Sequence, residues 1–112
     1  MKDNKNYNIM SREEIKELIK RRRFQILVHS FIYYRLNDNI ISNEKFNDWA
    51  LELIELQKKF PEISKEVELY IAFCDFTNVG DAAFLPLDND PRLESRAKQL
   101  LKYHYEKISG DL

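Results

Sequence analysis

Phe46, Trp49, Ala50, Leu53, Leu56, Gln57 and Phe60 recur at spacings of three and four. Glu44, Lys45, Asp48, Glu52, Glu55, Lys58 and Lys59 occupy the intervening positions. That pattern describes a helix with one apolar face, which must be covered by another element. Ser42 supplies an N-cap and Pro61 a stop. A chain built as sheets needs frequent tight turns, yet only two glycines and three prolines occur in 112 residues. The remaining elements are therefore expected to be helices, packed as a compact all-α bundle of about four.

Ser11 and Glu14 form a capping box that opens a first helix, expected from Arg12 to Leu36. Its early half carries a narrow stripe of Ile15, Leu18 and Ile19. Its later half, FQILVHSFIYYRL, is apolar on nearly every side and belongs in the core. Asn37-Asp38-Asn39 ends it, since these side chains compete for backbone hydrogen bonds. A third helix is expected from Ser64 to Phe76, with Val67, Tyr70, Ile71 and Cys74 on one face. TNVGDAAFLPLDND has no period and reads as an irregular loop. Asp90-Pro91 opens a last helix that runs to about Ser109, with Leu93, Ala97, Leu100, Leu101, His104 and Ile108 inward and Gly110 as terminator. Residues 1–10 are polar and expected to be flexible, and residues 11–112 are expected to form a single helical domain.

Hydrophobic residues at 44% and charged residues at 33% suit a soluble globular chain. A net charge of −1 gives no global attraction to nucleic acid or to an anionic membrane. The lone cysteine, Cys74, rules out an internal disulfide and has no metal-ligand spacing around it, so a reducing cytoplasm is the natural setting. The N-terminus has no signal-peptide pattern, and no apolar run approaches the ~20 residues of a membrane helix.

The short connection from Asn37 to Ile41 makes the first two helices antiparallel neighbours. Tyr33, Tyr34 and Asn37 then face Asn43, Phe46 and Asn47, the last three sharing one helix face. Two readings stay open. Tyr33 and Phe46 could be core, with the asparagines as caps and turn residues. Alternatively, aromatic faces for a ring, amides for ribose hydroxyls and a helix N-terminus for phosphate describe a nucleotide pocket. His29, one turn before Tyr33, could line that pocket or be a satisfied core histidine. Lys20-Arg21-Arg22-Arg23 points in four directions and reads as solvated surface, although Arg23 is retained as a candidate phosphate contact. DNA binding through this run is not expected. Phe84 could cover a bound ring, if the loop 78–90 is a lid, or could plug the bundle. No H-E-x-x-H, zinc spacing or glycine-rich phosphate loop is present.

The segment 27–61 resembles the N-terminal helical domain of bacterial NAD-dependent DNA ligases. That family has a tyrosine-rich helix written roughly Y-L-Y-Y/H, a short acidic turn, I-S/P-D-x-E-Y-D, and then L-x-x-L-E and a proline. This chain reads F-I-Y-Y, I-I-S-N-E-K-F-N and L-I-E-L-Q-K-K-F-P. The longer chain, including CDFTNVGDAAFLPL, looks like small stand-alone ligase-related proteins of phages and their bacterial hosts. The resemblance implies a site that grips the nicotinamide mononucleotide half of NAD, carried by position onto Tyr33, Tyr34, Asn43, Phe46 and Asn47. Two aspartates of the family pattern are asparagine here and one tyrosine is phenylalanine. Losing two negative charges disfavours a cationic nicotinamide and lowers repulsion toward phosphate.

The family's K-x-D-G nucleophile setting does not occur in this chain. The expectation is therefore a non-catalytic binder, without cofactor or metal, that sequesters an NAD-derived nucleotide of the ADP-ribose or cyclic ADP-ribose type. Such a protein would act as a phage sponge against a nucleotide-signalling host defence, in the host cytoplasm. A binder this small could close its pocket with a second copy of itself. The alternative is an accessory or inhibitory module for a DNA ligase or another replication or repair protein.

Overall fold

A computed structural model describes residues 7–88 and 90–110, the side chain of residue 110 excepted. Its helices are α1 (Arg12–Arg35), α2 (Asn43–Lys59), α3 (Pro61–Lys65), α4 (Tyr70–Phe73) and α5 (Pro91–Gly110). Short 3-10 helices span Tyr7–Ile9 and Val79–Phe84. No strand occurs among the described residues, and the all-α expectation holds.

The central element is α1, which packs against α2, α3, α5 and the 3-10 helix Val79–Phe84. Its N-terminus is the expected capping box, in which the Glu14 amide donates to Ser11 Oγ and the Ser11 amide donates to Glu14 Oε1. Ser42 caps α2 by accepting from the Lys45 amide at 3.0 Å. Between these helices Asn37 has φ of +54°, a left-handed conformation that asparagine tolerates better than most residues. That turn lets the Asp38 amide reach back to the Ile32 carbonyl at 3.1 Å. The core combines Ile19, Ile26 and Ile32 of α1, Ala50, Leu53 and Leu56 of α2, and Leu93 and Ala97 of α5, all buried.

Three expectations are corrected. The helix expected over 64–76 is broken into α3 and α4, with Leu69 at φ +70° between them. Arg23, fully buried on α1, donates to the carbonyls of Ser64, Val67 and Glu68. Those carbonyls are the acceptors a continuous helix would need, so a tertiary contact displaces the local ladder. Ile71 and Cys74 are consequently exposed, and Phe73 and Phe76 take the buried positions. The second correction concerns α5, where Leu93 and Ala97 are buried but Ile108 is exposed. The third lies in the loop 78–90, part of which is the 3-10 helix Val79–Phe84, with Ala82, Leu85 and Leu87 buried.

The flexibility expected of residues 1–10 falls, for residues 1–6, outside the described residues. Tyr7 is already packed. Its ring lies edge-on to Phe60 at 6.2 Å and its hydroxyl donates to Glu52 Oε2 at 3.1 Å. Burial and the neighbouring Glu52 carboxylate together push the Tyr7 phenol well above its usual range. Among the described residues, no helix is long and apolar enough to cross a membrane.

Candidate functional site

Where α1 ends and α2 begins, a cavity of about 230 Å³ opens between the two helices. His29, Tyr33 and Tyr34 line it from α1, and Asn43, Phe46 and Asn47 line it from α2. The antiparallel geometry imposed by the short joint brings these six sequence candidates together. The 3-10 helix supplies a further wall through Val79, Gly80 and Ala82.

The tyrosines are not core. Tyr33 is 55% exposed and Tyr34 is 40% exposed. Their rings meet edge to face at 4.9 Å, so the pair forms a partly fixed aromatic rim. Phe46 is half-buried against the core and offers a ring from the opposite side. His29 packs on Trp49 with ring centroids 5.4 Å apart. Loss of water around His29 pushes its pKa below the ordinary imidazole value, so the ring is neutral at physiological pH. Trp49 therefore supports the cavity through His29 instead of lining it.

Among the described residues that line the cavity there is no Asp, Glu, Lys or Arg. Its polar groups are amides, hydroxyls and one neutral imidazole. Such a lining solvates a neutral, hydrogen-bonding ring well and a bare charge poorly. Among the described residues, no cluster of three or more His, Cys, Asp or Glu side chains could hold a metal ion.

Asn37, Arg23 and Phe84 do not line this cavity. Asn37 forms the left-handed turn and borders a neighbouring depression together with Tyr33, Tyr34, Asp38 and Asn39. Arg23 is neither surface charge nor a phosphate contact. Besides the three carbonyls, it donates to Ser64 Oγ at 2.6 Å and Gln57 Oε1 at 2.9 Å. Burial lowers its pKa to about 10, which leaves the guanidinium charged at neutral pH. Phe84, 84% exposed, borders a different depression with Tyr70, Ile71 and Pro86.

Ser30 also lines the cavity, and sequence reasoning passed over it. Its spacing of three and four to Tyr33 and Tyr34 put it on the same helix face, so the signal was available. Val79 and Ala82 carried no such signal, because only tertiary packing brings their segment to the joint.

The rim is tied from outside. Arg35 forks onto Asp88, with Nε and Nη2 at 2.7 and 2.8 Å from the two carboxylate oxygens. Tyr105 of α5 donates to Asp38 at 2.8 Å. Both carboxylates are held below their usual range, Asp88 chiefly by Arg35 and Asp38 chiefly by Tyr105.

Curated proteins named DNA ligase match a segment of this chain. That of Pseudothermotoga lettingae is 47% identical over 51 residues, covering 46% of this chain and 8% of the ligase. Those of Thermosipho africanus and Coprothermobacter proteolyticus are 42% and 43% identical over 53 residues, covering 47% of this chain and 8% of each ligase. The resemblance read from the tyrosine-rich helix and its partner is thus borne out over about half of the chain. The chain spans less than a tenth of the length of these relatives. No family model matches it, and no solved structure does.

Proposed function

We propose that this chain binds an NAD-derived nucleotide of the ADP-ribose type in the α1–α2 cavity and sequesters it without chemical change. One observation carries the reading: two half-exposed tyrosines and a phenylalanine surround a neutral, amide-lined cavity at the positions where the ligase resemblance puts a nucleotide. A cavity of about 230 Å³ lies below the ~300–1,000 Å³ of ordinary small-molecule sites. It suits a ring and part of its sugar, with the remainder of the ligand lying across Tyr33 and Tyr34.

The asparagines at 43 and 47 favour a ligand without a cationic nicotinamide. The sequence lacks the K-x-D-G setting for adenylyl transfer, which supports holding over turnover. Sequestration of a signalling nucleotide follows as the role, with the cytoplasm of an infected host as its setting.

Calorimetry with ADP-ribose tests this. Micromolar or tighter binding is expected, and Tyr33→Ala and Phe46→Ala should each weaken it by ~1–3 kcal/mol, by analogy with aromatic–base stacking. Unchanged affinity in both variants would remove the cavity as the site. Ligand recovered unaltered from the heated complex is expected, and a cleaved product would make the chain an enzyme.

A second reading draws on a different face. Ile71 and Phe84, both 84% exposed, border one depression, as a protein-docking surface would. A DNA ligase or another replication or repair protein is the partner this alternative requires. Co-purification with such a protein, lost in Ile71→Asp and Phe84→Asp, would favour it.

A further inference from the structure

We infer that the Ser30 hydroxyl is the hydrogen-bond partner of an uncharged nucleoside end of the ligand, which enters the cavity ring first while its phosphates stay outside. The inference rests on the proposed function and assigns a role and an orientation that the ligase resemblance does not supply. Ser30 is 1% exposed and lines the cavity. Among the described residues, its Oγ is the buried side-chain oxygen or nitrogen that has no hydrogen-bond partner. A buried hydroxyl without a partner costs stability, whereas apolar packing by alanine would not. A partnerless hydroxyl at the wall of a cavity is explained if a ligand completes it.

The orientation follows from charge. No ionised side chain lines the cavity among the described residues, and the one imidazole there is kept neutral by burial. A phosphate pushed into this lining would lose its water without meeting a cationic side chain, and at the α2 N-terminus, where the sequence suggested a phosphate, the Lys45 amide is already taken by Ser42. A base and its sugar present neutral donors and acceptors, and a serine hydroxyl can serve either kind.

Calorimetry and thermal melting of the wild-type chain, Ser30→Ala and Ser30→Cys decide the matter. For Ser30→Ala, ADP-ribose affinity should fall about tenfold, the equivalent of one hydrogen bond. Its melting temperature without ligand should be unchanged or higher. Ser30→Cys, which keeps the size but offers a weak donor, should also bind more weakly. Adenosine should retain measurable binding to the wild type and inorganic pyrophosphate should not. Undiminished ADP-ribose affinity in Ser30→Ala overturns the inference, and so does a lower melting temperature, which would show that the hydroxyl serves the fold. Pyrophosphate binding as tight as ADP-ribose overturns the orientation. If the wild type binds no ADP-ribose at all, the proposed function fails and takes this inference with it, an outcome distinct from an effect confined to Ser30.

Discussion

His29 surrenders water on folding and gains an aromatic neighbour in place of a counter-charge. Its folded pKa therefore lies below the ordinary value of 6.5. The sign follows from linkage: the unfolded chain binds this proton more readily than the folded one. The neutral ring's contribution is fully present above about pH 6.5 and is lost as pH falls through the folded pKa. Urea unfolding between pH 7.5 and 5 should show a loss of stability that is smaller in His29→Gln. Equal losses in both proteins would mean that His29 does not titrate in this window. The lowered carboxylates Asp38, Asp88 and Asp90 act separately. Their stabilisation is present above their unfolded pKa near 3.8 and fades only at lower pH. Cavity and titration thus meet in one residue, because the burial that neutralises His29 also keeps the cavity lining uncharged.

Among the elements, Arg23 has the largest structural consequence. Its guanidinium replaces helix formation over 66–69 with a bend that presents carbonyls to α1. Arg23→Met would leave the Val67 and Glu68 carbonyls unsatisfied beside the core and the Ser64 carbonyl with the Val67 amide as its remaining donor. At ~1–3 kcal/mol for each orphaned group, a loss of about 3 kcal/mol or more is expected by urea unfolding. Amide protection over 61–76 should fall first. Arg23→Lys should rescue little, since an ammonium cannot reproduce the planar fork. A near-neutral Arg23→Met would contradict this account of the bend. The same contact explains what the sequence did not disclose. Helices α1, α2 and α5 were legible because caps and apolar spacing agree locally. The 64–76 segment departs from its local pattern because its helical preference is overridden by a partner some forty positions away. Read as one of four consecutive basic residues, Arg23 looked like solvated surface, and nothing local marked it as the buried member.

For the molecule as a whole, the joint between α1 and α2 is where separate parts of the chain converge. Asn37 turns the backbone, Arg35 fastens the segment around Asp88, and Tyr105 fastens α5 to Asp38. These ties are exposed, so Arg35→Ala and Tyr105→Phe should each leave the urea midpoint nearly unchanged. A marked fall in the midpoint would show that the joint is held by them and not by the core. The six side chains assembled from α1 and α2 were legible because a short connection and two helical periods fix which faces meet. The Val79–Ala82 wall was not, since its approach depends on the core packing of Ala82, Leu85 and Leu87. A ligand held there joins α1, α2 and this wall. Ligand at a hundred times its dissociation constant should therefore stabilise the fold by about 2.7 kcal/mol. The most direct test is a crystal structure determined with saturating ADP-ribose. Density for a base between Tyr33, Phe46 and Ser30, with phosphates toward solvent, is the expected result, whereas a cavity closed by the protein's own side chains, with ligand density elsewhere or nowhere, would contradict the account.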